Sequence, residues 1–142
     1  MIAGSTRLLV AGIGCTSAAT ADEVIALIEM ALATARRPAA HMACLATIDT
    51  RANAGALQFA ASHFGVPMRT FSAADLAAES SRLASPSAIV ADLAGLPGIA
   101  EAVALKAGTL VVTKQKSAHA TCAIGLAATP FDVMRFGRGV AA

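Results

Sequence analysis

The 142-residue chain predicts an α/β fold: a three-layer single domain over residues 1–142, with a mostly parallel sheet, helices on both faces and a C-terminal antiparallel hairpin. Three observations predict it. Short apolar runs alternate with stretches of helical periodicity, as in a sheet covered by crossover helices. The first apolar run breaks into "GIGC" (12–15) ahead of a capping-box pattern, a strand-to-helix passage. The last two apolar runs are joined by "KQKSAH", too short for a helix, which makes them antiparallel neighbours.

Arg7 to Ala11 is short, continuous and apolar with glycines just beyond, and reads as a buried strand. Thr20 to Arg37 reads as a helix: Thr20 and Glu23 make the capping box, and Val24, Leu27, Ile28, Ala31 and Leu32 share one face. "RRP" (36–38) stops it. His41 to Ile48 is a second strand, Ala54 to Phe64 a second helix stopped by Gly65, and Val66 to Phe71 a third strand. "SAADLA" (72–77) opens a third helix, with Ser72 as N-cap. Residues 79–98 are punctuated by Ser, Pro and Gly around one apolar piece, Ala88 to Leu93. Ile99 to Ala107 is a fourth helix, Thr109 to Thr113 and Ala120 to Leu126 are the hairpin strands, and "FGRGVAA" reads as a frayed end.

Apolar residues make up 56% of the chain and charged residues 14%, below the usual quarter. About a quarter of the residues are Ala, so the apolar surplus lies in small side chains. They allow close helix–sheet packing, and the surplus favours a homo-oligomer or a large apolar pocket. No uncharged stretch, Ser117 to Phe131 included, reaches the ~18 apolar residues that a membrane span needs. No signal-peptide pattern opens the chain, so a cytoplasmic protein without a membrane partner is expected. Cys15, Cys44 and Cys122 are odd in number and lack any C-x-x-C, against a disulfide framework or a structural zinc site. A net charge of +2 and the absence of Trp and Tyr argue against nucleic-acid binding. The basic residues are unevenly placed, however: Lys106, Lys114, Lys116, Arg135 and Arg138 stand against Asp132 alone in that third.

In open α/β sheets ligands sit beyond the carboxyl ends of the parallel strands. That rule gathers Gly12, Ile13, Gly14 and Cys15, with Thr16 next in the chain, after the first strand, Thr47, Ile48 and Asp49 at the end of the second, and the turn after Phe71. A dinucleotide fingerprint is excluded, because Ser17 stands at its third glycine and no acidic residue follows at about 20 residues. His41 and Cys44 lie three apart on a strand and face opposite sides, so they share no metal. No metal ligand set and no cofactor is expected. Cys15 is the one cysteine with an activation mechanism, a helix N-terminus, and close packing beside the glycines is the alternative. Glu101 falls in the first turn of the fourth helix, where either dipole capping or a functional carboxylate accounts for it. Lys114 and Lys116, two apart on a strand, project from one face as an anion clamp or as a solubilising edge.

"GIGC" (12–15), "LATIDTRANAGAL" (45–57), "FSAADL" (71–76), "GLPGIAEAVAL" (95–105) and "TLVVTKQKSAHATCAIGLA" (109–127) keep one order. Together they resemble the CobE family, which is similar to the C-terminal domain of CbiG, both of vitamin B12 biosynthesis. The resemblance implies a small α/β domain that binds a corrin-ring precursor, as a carrier or as an accessory to another cobalamin-pathway enzyme. Two alternatives accompany it. One is hydrolysis of a ring lactone of the precorrin-5A type, the reaction of the fused CbiG proteins, with Glu101 as general base and Lys114 as electrostatic stabiliser. The other is a non-catalytic subunit of a pathway enzyme. Relatives often carry a Lys after the Thr-Ile-Asp segment, and here Arg51 is the cation. Corrin precursors are flat and apolar at the ring and bear a skirt of carboxylates, which suits Gly and Ala backbone ringed by Arg51, Lys114 and Lys116.

Overall fold

The computed structural model describes residues 8–51, 53–77, 97–127 and 136–139. The irregular stretch 79–96 with its apolar piece, and Arg7 at the first strand, lie outside them. The elements run β1 (Leu9–Cys15), α1 (Ala21–Ala35), β2 (Met42–Ile48), α2 (Gly55–Phe64), β3 (Met68–Phe71) and α3 (Ala73–Ala77). After them come α4 (Pro97–Leu105), β4 (Thr109–Lys116), β5 (Ala120–Leu126) and β6 (Arg138–Gly139). They form one six-stranded sheet in the order β4-β5-β1-β2-β3-β6.

The sheet is mixed rather than mostly parallel. β1–β2 and β2–β3 pair in parallel, while β1–β5, β4–β5 and β3–β6 pair antiparallel. Crossover helices α1 and α2 force the parallel trio, and each edge is then completed by a strand that needs no crossover. The expected C-terminal hairpin is present. The other antiparallel edge comes from the segment read as frayed. Arg138 and Gly139 pair with Thr70 and Arg69. Buried Arg69 holds that segment by donating from Nε to the Phe136 carbonyl at 2.8 Å, and Phe136 sets its ring edge-on to Phe71 at 5.0 Å. Both contacts lie over 60 residues apart in sequence and leave no local pattern.

Helices cover both faces. Leu9, Ala11, Ile13 and Cys15 of β1 point into one core with Leu27, Ile28 and Leu32 of α1 and Leu57 and Ala60 of α2. Val10 points the other way, into a core with Leu76 of α3 and Ile99, Ala102 and Val103 of α4. Strand alternation on a fully buried central strand produces this split.

Two strand ends differ from the sequence reading. β1 continues to Cys15 instead of stopping at Ala11, because every residue from Leu9 to Cys15 finds a β5 partner, ending at Cys15–Ala120. Gly12 and Gly14 are therefore strand residues. A Cβ on Gly12 would overlap the Ala100 carbonyl oxygen of α4, and one on Gly125 of β5 would overlap that of Ala104. The glycines bring a helix backbone onto the sheet, and the fully buried Ala100, Ala102 and Ala104 keep the helix side of that contact thin. β4 likewise runs on to Lys116, so the hairpin turn is only residues 117–119.

That turn is tied to α1. Thr20 accepts the Glu23 N–H at 3.2 Å, which is half of the expected capping box. The Glu23 carboxylate goes elsewhere: it accepts from the Ser117 hydroxyl, from the His119 N–H at 2.7 Å, and meets His119 Nδ1 at 3.1 Å. The Thr16 N–H donates to the His119 carbonyl at 2.9 Å, which joins the end of β1 to the same turn.

Two predictions follow from these contacts. Gly12→Ala should destabilise the fold by about 1–3 kcal/mol or more, as overpacking does, and Gly125→Ala should match it; chemical denaturation reads both. Second, the Ser117 hydroxyl and the His119 N–H hold the Glu23 carboxyl down at about 2, from an ordinary 4.5. A lowered folded-state value means that the stabilisation is complete above the unfolded value and is lost as pH falls through this window. Melting temperature should drop between about pH 4.5 and 2, and in Glu23→Gln that part of the acid limb should flatten.

Candidate functional site

The carboxyl ends of β1 and β2 open into a pocket of about 310 Å³. One wall is the β1–α1 connection, with Cys15, Thr16 and Ser17; the other is the β2–α2 connection, with Thr50, Arg51 and Asn53, and the start of α2 closes it. This is where the strand-end rule places a ligand. The connection after β2 is short, a single helical turn over Asp49–Arg51, and it brings Arg51 back toward β1. Thr47 fastens the two strands below the pocket, donating to the Ile13 carbonyl at 2.7 Å.

Of the residues that the sequence singles out, Cys15, Thr16 and Arg51 line the pocket. Asp49 is exposed and outside its lining. Gly12 and Gly14 sit below it in β1, Gly12 beneath α4. Lys116 pairs with Thr121, which pairs with Gly14, so Lys116 lies at the pocket end of the sheet. Two strand spacings, ~10 Å, separate its backbone from β1. Lys114 sits at an irregularity of β4, between Val112 and Gln115, where strict alternation breaks.

Glu101 is 3% exposed, on α4, and its Oε2 accepts the Lys114 backbone N–H at 3.0 Å. The carboxylate satisfies the donor that the bulge frees from the ladder. Glu101 is not among the pocket's lining residues. Its partner follows from the break in β4, which sequence periodicity does not show.

Cys15 is 1% exposed and ends a strand that faces the α1–α2 core. Burial pushes its thiol up; the Arg51 guanidinium pulls it back down in part, and the Glu23 charge adds to the rise. Five residues separate Cys15 from the first residue of α1, Ala21, which favours the close-packing reading of this cysteine over helix-terminus activation. Cys44 is pushed up to about 12 by burial and Cys122 is raised by the same cause; all three are buried free thiols. Among the described residues no group of three or more His, Cys, Asp or Glu could hold a metal ion. His63 lies edge-on to Phe64, and His119 is the partner of Glu23.

Sequence reasoning missed Thr50, Asn53 and the Glu23–His119 pair. Thr50 and Asn53 flank Arg51 in the connection that the strand-end rule had already marked. Glu23 and His119 stand 96 residues apart, and Glu23 was accounted for by its cap.

The chain matches the family model described as "Cobalamin synthesis G C-terminus" over residues 9–125. A curated relative, Protein CobE of Sinorhizobium sp., is 46% identical over 125 residues, 85% of this chain and 81% of the relative. A solved structure, of CobE, described as a protein from the cobalamin (vitamin B12) biosynthetic pathway, superposes with a TM-score of 0.72. It is 30% identical and covers 86% of this chain and 92% of its own. The cobalamin biosynthesis protein chiG of Agrobacterium tumefaciens str. C58 superposes at 0.62 with 27% identity, over 85% of this chain and 99% of its own. No helix among the described residues is long and apolar enough to cross a membrane. The matched span begins with the first residue of β1, ends in β5 and contains both connections that wall the pocket, and by it this chain belongs to the CobE family, the family of the CbiG C-terminal domain.

Proposed function

We propose that this cobalamin-biosynthesis protein binds a corrin-ring intermediate as a carrier, or as an accessory to another pathway enzyme, in the cytoplasm. One observation carries the reading: among the described residues, the pocket of a CobE-family fold, at the carboxyl ends of β1 and β2, is lined by one cation and by no carboxylate. A corrin precursor bears several carboxylates around an apolar ring. Arg51 lines the pocket and Lys116 stands at the same end of the sheet. Lys114 adds a further cation on β4, and Cys15 and Thr16 line the pocket, with Gly14 below them in β1. Asp49, exposed in the same turn as Arg51, stands outside the pocket lining.

Hydrolysis is the second reading, with Glu101 as general base. Its buried carboxylate favours it, while its bond to Lys114 accounts for the same burial. The two readings separate on a purified protein given precorrin intermediates: a carrier changes the ligand's absorbance and forms no product. A non-catalytic subunit would instead co-purify with its enzyme and leave corrin absorbance unchanged.

Binding of a corrin polycarboxylate should weaken steadily with added salt, since exposed ion contacts are screened within about 8 Å at physiological ionic strength. Affinity independent of salt would contradict the roles given to Arg51, Lys114 and Lys116. Glu101→Gln keeps an acceptor for the Lys114 N–H, whereas Glu101→Ala strands it at a cost of ~1–3 kcal/mol. The Gln variant should therefore be the more stable of the two and should bind corrin as the wild type does. If the wild type turns a precorrin over and the Gln variant loses ~100-fold or more of that rate, the hydrolase reading replaces the carrier.

A further inference from the structure

The pocket is small and charged in one sense only. Its 310 Å³ stands at the bottom of the ~300–1,000 Å³ range of pockets that enclose a drug-sized molecule. A tetrapyrrole-sized macrocycle with its side arms does not fit inside. A single acetate- or propionate-length arm does.

Arg51 is the one charged residue of the lining, and its guanidinium makes no ion pair among the described residues. It is half-buried, and its charge is felt at the Cys15 thiol across the pocket. Glu23, the acid whose charge is felt at the same thiol, is engaged by Ser117 and His119. Thr16, Ser17 and Asn53 add polar side chains to the walls, and Ala54, the N-cap of α2, offers no side-chain oxygen to the first-turn N–H groups beside it. A planar guanidinium that pairs with no carboxylate among the described residues matches a ligand carboxylate in a two-point contact, and it rewards an ester or an amide far less.

We propose that this pocket receives one free carboxylate arm of the corrin intermediate, paired with Arg51, while the macrocycle stays outside, across the sheet end toward Lys116. The inference rests on the corrin-binding reading above and adds what that reading leaves open: which part of the ligand enters. It has a consequence for reaction order. The ligand must reach this protein with at least one arm as the free acid, so any reaction that amidates that arm acts afterwards.

The test uses the full chain and absorbance titration with two probes, dicyanocobyrinic acid and its heptamethyl ester, which share a ring and differ in their arms. The acid should bind roughly tenfold or more tightly than the ester, as loss of charge-assisted bonds implies. Arg51→Gln should lower acid affinity by roughly tenfold or more and bring the acid-to-ester ratio close to one. Arg51→Lys, which keeps the charge and loses the fork, should fall between. Arg37→Gln, which removes the same charge beyond the far end of α1, should bind like the wild type. If the acid binds and Arg51→Gln leaves both its affinity and the ratio unchanged, the arm-in-pocket inference is overturned and the corrin reading stands. If neither probe binds, the corrin reading itself falls. The wild-type acid-to-ester ratio reads the same question even where a variant fails to fold: equal affinities overturn the inference.

Discussion

The contact between α4 and the β1–β5 pair is the constraint from which the rest of the structure follows. Gly12 and Gly125 remove the two side chains that would hold the helix away, and the alanines of α4 meet them with nothing larger than a methyl. Dense packing makes such a contact strict, because neither partner has room to absorb an added carbon. It settles the sheet order on that side: β5 must lie beside β1 for both glycines to sit under one helix. It also delivers Glu101 to the bulge in β4, where its carboxylate replaces a missing ladder bond at Lys114. A buried carboxylate that is held by a backbone donor is a structural part whose loss leaves that donor unsatisfied.

β1 transmits this constraint to the pocket. The strand is buried along its whole length and emerges at Cys15 and Thr16. Thr47 ties it to β2 on one side, and Thr16 ties its end to the hairpin turn on the other. Glu23 then locks that turn to the start of α1. The pocket walls are thus fixed from three directions while Arg51 makes no ion pair among the described residues. A scaffold arranged this way presents a cation at a fixed place, and a rigid first contact lowers the ordering cost of binding.

The element order, the helix faces and the end of the sheet that bears the pocket were all legible in the chain. Period-2 and period-3.6 patterns report burial directly, and Val24, Leu27, Ile28, Ala31 and Leu32 are the buried residues of α1, as their spacing predicts. The strand-end rule marks the end of β2, and Arg51 is named there by the family resemblance, as the cation that follows the Thr-Ile-Asp segment. What failed were features decided by distant partners. "GIGC" looks like a turn because glycine is common in turns; here the glycines lie in the strand, and the reason is a helix about 90 residues later in the chain. The sheet is mixed because the hairpin strand β5 also pairs antiparallel with β1, which already evens the pairs, and because β6, two residues long and held by Arg69 and Phe136 rather than by its own pattern, adds another. Of the two readings of Cys15, activation and close packing, its place favours packing: as the last buried residue of β1 it is shielded. The family resemblance rested on ordered motifs, and those motifs turn out to be the strand ends, the α4 seat and the hairpin.

The most direct test of the central claim maps where a corrin touches the protein. In a ¹⁵N-labelled sample titrated with dicyanocobyrinic acid, which is diamagnetic, backbone amide shifts should concentrate at Thr16, Ser17, Arg51 and Asn53, with a second set at Lys116. The amides around Arg36 to His41, at the opposite end of β2, should stay in place. Shifts gathered at that opposite end, or none at the β1–α1 and β2–α2 connections while the ligand is bound, would contradict the account.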